Sequence, residues 1–160
     1  MRSSFPTLNA TNLKTALVEG NKVISYAALN LRCDRFASGL LNGNAGGKAD
    51  LEEERIAFFM PASIDYVTTM HGIWRAGGIA VPLNVASAVT ELEHYLTSAS
   101  VSRMVANGDY RESLVDLCAA LNIELLNVDD IITDEAAALP DIAPERRAMM
   151  LFTSGTTNKP

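Results

Sequence analysis

Apolar positions along the chain alternate between short unbroken runs and longer stretches spaced by three and four. Residues 16–19 and the pair Val23-Ile24 flank Gly20-Asn21, residue types that accept the positive φ of a tight turn, and so predict a β-hairpin. Ser25 stands where a helix cap belongs, ahead of the inward stripe Leu29, Cys33, Phe36, Ala37 and Leu40, and the helix stops in the glycine-rich residues 43–47. Residues 55–60 are apolar without interruption after Arg55 and are closed by Pro61, as expected of a strand buried on both faces. Ser63 caps the next helix, which ends on Gly77-Gly78, and residues 79–83 form another strand.

Thr90 with Glu93 reads as a capping box before Leu92, Tyr95, Leu96 and Ala99. A strand follows at 101–106. Asp109 with Glu112 opens a helix that turns Leu114, Leu117, Cys118 and Leu121 inward, and 123–128 supply one more strand. Residues 129–147 become polar and proline-containing, the composition of a surface excursion, before 148–152 run apolar into Thr153. The alternation predicts an α/β fold: a mostly parallel sheet flanked by helices on both faces.

Length and composition narrow the class. At 160 residues one domain is expected, able to bury roughly 70% of its unfolded surface without a disulfide or metal. The net charge of -6, with no basic stripe, argues against a nucleic-acid partner, whose phosphates are neutralised by clustered Lys and Arg. Cys33 and Cys118 share no metal-ligand or disulfide spacing and read as buried free thiols of a reducing compartment. Pro6, Asn9, Asn12 and Lys14 interrupt any signal-like run near the start, and no stretch reaches the length of a membrane span. A cytoplasmic protein is the resulting expectation.

Chemistry concentrates in Thr153, Ser154, Gly155, Thr156, Thr157 and Lys159. Hydroxyls, a flexible glycine and a lysine directly after residues 148–152, read as a buried strand, can turn several donors toward phosphate oxygens with no bulky side chain in the way. This is not the Walker loop, which needs a glycine four residues before Gly-Lys and a hydroxyl after the lysine. Residues 43–48 miss the same pattern by one position and read as a plain turn.

Residues 152–160 resemble the Tyr/Phe-Thr-Ser-Gly-Thr-Thr-Gly-x-Pro loop of the AMP-forming adenylating enzymes, with Asn158 in place of the second glycine. That family includes acyl-CoA synthetases, aryl-CoA ligases, luciferases and peptide-synthetase adenylation domains. The resemblance extends over the chain in order: Ser25-Tyr26-Ala27-Ala28-Leu29, residues 55–63, residues 74–84 (WRAGGIAVPLN) and residues 91–96 (ELEHYL) each resemble a family segment.

The resemblance implies a two-step reaction, in which a carboxylate attacks the α-phosphate of ATP to give an acyl-adenylate and pyrophosphate, and a thiol, usually of coenzyme A, then displaces AMP. It implies ATP with magnesium, CoA as co-substrate and a small-molecule carboxylate, with fatty acids the leading class and aryl or amino acids the alternative. Thr153, Ser154, Gly155, Thr156 and Thr157 would face the β- and γ-phosphates, with Lys159 beside them. Residues 1–160 would form the first subdomain of the acetyl-CoA synthetase-like N-terminal domain, cut within its phosphate loop. Such a piece is expected to be inactive alone and to self-associate through apolar surface that the rest would cover. A free-standing nucleotide-binding or interaction module is the reading from another class.

Other residues have plainer readings. His71 shares a helical stripe with Val67 and Trp74 and is expected in the core, and His94, opposite Leu92 and Leu96, at the surface. Glu52-Glu53-Glu54 and Asp129-Asp130 are expected to be solvated. Trp74, Met149 and Met150 are expected to pack.

Overall fold

A computed structural model describes residues 12–43 and 47–153. Strands β1 (Thr15–Glu19) and β2 (Lys22–Ser25) form an antiparallel hairpin, with Val18 opposite Val23 and Gly20 in the turn at φ +57°. The Ser25 hydroxyl accepts the Ala28 N–H at 3.2 Å and starts α1 (Tyr26–Asn42). The five stripe residues of α1 are all buried, as their spacing predicts.

The main sheet contains β3 (Arg55–Phe59), β4 (Ile79–Leu83), β5 (Arg103–Ala106) and β6 (Glu124–Asn127), all parallel, in the order β4-β3-β5-β6. Helix α2 (Ile64–Arg75) connects β3 to β4, and α3 (Val89–Ser98) returns the chain to β5 on the other side of β3. Side chains alternate across the sheet with the period of two that strands impose. Ile56 and Phe58 join Phe36, Leu40 and Ile73 in one core, while Ala57 and Phe59 join Leu92, Leu96 and Met104 in the other. Both faces are therefore covered, as the apolar run of β3 requires.

Gly72 explains how closely α1 and α2 approach. A Cβ there would stand 2.4 Å from the ring of Phe36, a fully buried side chain whose burial is worth about 1.5–3 kcal/mol. Arg75 locks the same helix pair, donating to Asp34 Oδ1 at 2.6 Å and to the Asn30 carbonyl at 2.9 Å. Both cysteines are buried and unpaired, and burial pushes the Cys33 thiol up to about 12.

Several expectations need correction. Helix α3 begins one position before Thr90: Ala88 is the cap residue, and the Glu91 carboxylate, rather than Glu93, accepts the Ala88 N–H at 3.0 Å. The helix expected from Asp109 is two pieces, α4 (Gly108–Glu112) and α5 (Val115–Leu121). Ser113 lies at the break, where its hydroxyl donates to the Tyr110 carbonyl at 2.8 Å and competes with the helical ladder. The excursion after 128 carries α6 (Val128–Ile131) and buries Ile131 and Ile142, because Thr133 and Ala137 hydrogen-bond back to Arg35 and Ser38 of α1. His94 is half-buried beside the Tyr95 ring rather than fully solvated.

The apolar run 148–152 is not a buried strand. It makes a single parallel bridge, Met149 to Ala80, and Leu151 is 65% exposed. The reason lies in β4. The backbone N–H and carbonyl of buried Ala80 point to the sheet margin and bond both neighbours of Met149; the next residue whose backbone points that way is Pro82, which has no N–H to offer the Met150 carbonyl. The ladder stops after one rung.

Candidate functional site

Of the predicted phosphate-binding residues, Thr153 is described and exposed, while Ser154, Gly155, Thr156, Thr157 and Lys159 lie outside the described residues. What the structure shows is the stem that carries them. Because Met149 pairs with Ala80 in parallel, the chain from 149 to 153 runs the same way as β4, toward the carboxyl ends of the strands. Open parallel sheets hold ligands at that edge, at the point where strand order reverses. Here the reversal lies between β3 and β5.

The stem is held residue by residue. Arg146 pairs with Asp50 through its guanidinium. The Arg147 N–H donates to Glu53 Oε1 at 2.9 Å, and its guanidinium Nε donates to Glu53 Oε2 at 2.8 Å. The Ala148 carbonyl accepts two hydrogen bonds, from the Ala80 N–H at 2.9 Å and from the Trp74 indole at 2.6 Å. The Met150 N–H returns to the Ala80 carbonyl at 2.9 Å, and Phe152 stacks on Tyr95 with ring centroids 4.4 Å apart.

Of the acidic run 52–54, Glu52 is exposed as expected, whereas Glu53 and Glu54 are paired rather than simply solvated. Burial raises Glu54, but hydrogen bonds from Lys48, Arg103 and Ser102 prevail and hold it below the usual glutamate range. The Arg147 hydrogen bonds do the same for Glu53. Arg103 is 3% exposed, and its charge is met by a 2.7 Å contact with Glu54 and a bond to the Leu40 carbonyl at 3.0 Å, while its Nη2 is buried without a hydrogen-bond partner. Asp129 comes only within 3.9 Å of Arg32.

Local backbone makes this arrangement affordable. Glu52 and Glu53 adopt φ of 51° and 65°, and Gly77 adopts +84° with its missing Cβ leaving room for Asp50, whose Oδ1 would stand 2.1 Å away. Asp50 Oδ1 in turn accepts the Glu52 N–H at 2.7 Å. The Gly77 carbonyl accepts the Glu53 N–H at 2.8 Å. The segment Trp74-Arg75-Ala76-Gly77-Gly78, singled out by sequence, is the surface on which the stem's anchor loop is folded.

Other candidates resolve differently. His71 is half-buried with its ring 5.0 Å from that of Trp74, and burial, then the Arg75 charge, lowers its pKa. Asp65, at the first turn of α2, takes Arg32 at 2.7 Å on one oxygen and Asn107 at 3.0 Å on the other, a clamp that no sequence signal announced. Shallow grooves of about 450 and 280 Å³ flank the hairpin, lined by residues such as Leu17 and Val67 or Arg32 and Asp65; neither includes a stem residue. Among the described residues no three His, Cys, Asp or Glu side chains gather as metal ligands, and no helix is long and apolar enough to cross a membrane.

Comparison with known proteins adds three findings. The family model described as AMP-binding enzyme matches residues 7–160. Mitochondrial malonate–CoA ligase of Homo sapiens is 31% identical over 156 residues, 92% of this chain and 27% of that protein, and feruloyl-CoA synthase of an Amycolatopsis species is 31% identical over 150 residues, 91% and 29%. ATP-bound MatB from Rhodopseudomonas palustris superposes with a TM-score of 0.78 at 25% identity, covering 93% of this chain and 31% of that one. The chain therefore spans under a third of the length of these relatives.

Proposed function

Because the chain belongs to the AMP-binding enzyme family, we propose that it is the N-terminal subdomain, residues 1–160, of an ATP-dependent acid–thiol ligase. The reaction joins a carboxylate oxygen to the α-phosphorus of ATP as pyrophosphate leaves, then joins a thiol sulfur to the acyl carbon as AMP leaves. One observation carries this reading: a stem held at Arg146, Arg147, Ala148, Met150 and Phe152 leads Thr153 toward the carboxyl edge of a parallel sheet.

The hydroxyls and backbone N–H groups of residues 153–157 are suited to hold the β- and γ-phosphates, where negative charge builds as pyrophosphate departs. Lys159, in the same segment of sequence, would add positive charge. Magnesium bound with ATP would share that charge, and the hydroxyls of residues 153–157 are the oxygen groups suited to face it.

Fatty acids remain the substrate class that the sequence resemblance suggests, and the names of the two relatives, malonate and ferulate, widen the acid to short dicarboxylic and aryl types. The buried thiols suit a reducing compartment such as the cytoplasm. Exposed Val18, Val23, Val89 and Leu151 support self-association of this chain, which sedimentation would show as a concentration-dependent rise in mass.

Calorimetric titration with pyrophosphate tests the cradle: saturable binding is expected, and its loss when Ser154, Thr156 and Thr157 are all replaced by Ala. No binding by the unaltered chain removes the reading. Acid-dependent exchange of labelled pyrophosphate into ATP is expected to be absent for these 160 residues alone, and its presence would overturn the assignment as one subdomain of a larger catalyst.

A further inference from the structure

Resting on the reading of residues 153–157 as a phosphate cradle, we infer that Glu53, Trp74 and Tyr95 are positioning residues: they hold the stem that leads into the cradle, through Arg147, Ala148 and Phe152, and act on ligand affinity through it. The sheet contributes a single rung to the stem, and one rung is an axle about which a segment can rotate. The three side chains grip the stem on both sides of that rung.

Glu53 holds the chain before the rung. Two successive glutamates in left-handed backbone are unfavourable and persist only where their surroundings over-determine them. What this conformation achieves is a carboxylate turned so that one oxygen takes the Arg147 N–H and the other its guanidinium. An ordinary surface ion pair would need no such backbone.

Trp74 acts at the rung. Ala80 alone satisfies the Ala148 carbonyl; the indole adds a second donor from α2 and fixes the direction of that peptide plane. Tyr95 acts after the rung, where its ring lies against Phe152, the residue bonded to Thr153. Preset donors lose most of their effect when moved by about 1 Å, so anchors at this range govern affinity for the phosphate chain.

The test is pyrophosphate affinity of the full 160-residue chain, measured by calorimetry together with amide exchange. Glu53→Ala and Trp74→Phe are each expected to weaken binding about tenfold. Glu53→Gln is expected to lose less, since its amide oxygen still accepts the Arg147 N–H. Lys22→Gln, on the hairpin, is expected to bind as the unaltered chain does. Faster exchange at Met150 and Phe152 in Glu53→Ala, with β3 and β5 unchanged, would show the stem loosened within an intact fold. Affinity in Glu53→Ala and Trp74→Phe equal to that of the unaltered chain overturns the inference while the cradle stands, as does unchanged exchange at Met150 and Phe152. An unaltered chain that fails to bind pyrophosphate removes the cradle, and the positioning role with it.

Discussion

Gly77→Ala probes the link between the glycine pair and the stem. At φ +84° an alanine meets the left-handed penalty of roughly 1–2 kcal/mol. Reduced freedom of the unfolded chain returns about 0.4–1 kcal/mol. The new Cβ also falls 2.1 Å from Asp50 Oδ1, so Asp50 must swing away from the Glu52 N–H and Arg146, and loss of charge-assisted hydrogen bonds costs about 1.5–3 kcal/mol. The net expectation is about 1.5–4.5 kcal/mol, which lowers the melting temperature of a domain this size by roughly 3–18 °C. Urea unfolding of Gly77→Ala, Asp50→Ala and the double variant forms the assay. With Asp50 already truncated the clash is gone, so the double variant should lose at least 1 kcal/mol less than the sum of the single losses, given typical coupling of about 0.5–3 kcal/mol for residues in contact. Additive losses, or a Gly77→Ala cost under about 0.5 kcal/mol, as for a neutral surface change, would refute the reasoning.

Three further outcomes follow from the same contacts. Glu53 and Glu54 are held below the ordinary 4.5, so the stability they supply is complete above that value and lost as pH falls through their lower folded values; His71, held below 6.5, makes stability decline as pH drops below 6.5, because the unfolded chain takes up that proton first. Urea midpoints from pH 7 to 3 check this, with His71→Gln flattening the upper part of the curve and Glu53→Gln the lower, and coincident curves would contradict it. Both cysteines should resist a thiol reagent at pH 8 in the native chain and react fully in guanidinium, since burial raises the two thiols; rapid native labelling of Cys33 would contradict its placement. Ser63→Ala removes the 3.1 Å bond to the Tyr66 N–H and should cost about 1 kcal/mol by thermal melting, with no loss counting against the cap.

The sheet strands were legible because burial on both faces leaves long apolar runs that polar residues punctuate, and the caps at Ser25 and Ser63 because a hydroxyl before a helical stripe has few other uses. Where several residues competed for one role, the pattern misled: Thr90 and Glu93 have the spacing of a capping box, yet the observed cap is half of one, the Glu91 carboxylate accepting the Ala88 N–H while Ala88 has no side-chain acceptor to reciprocate. Glu53 and Glu54 looked solvated because their arginine partners are 94 residues away at Arg147 and 49 away at Arg103, distances over which no local rule operates; only Lys48, six residues before Glu54, was within local reach. The loop's chemistry was written in its composition, but the means of holding it was not. Trp74 reads as packing until Ala148 is found beneath its indole.

Pro82 leaves one further mark on this molecule. The strand that contains it, Ile-Ala-Val-Pro-Leu, is apolar throughout and lies at the sheet margin, the kind of segment that recruits foreign chains into continuous β-structure. A ring nitrogen in the outward row cannot donate, so an incoming strand would find its hydrogen-bond partners interrupted halfway. The same missing proton that lets the chain peel off toward the hydroxyl-rich segment therefore also acts as a gatekeeper against aggregation along that margin.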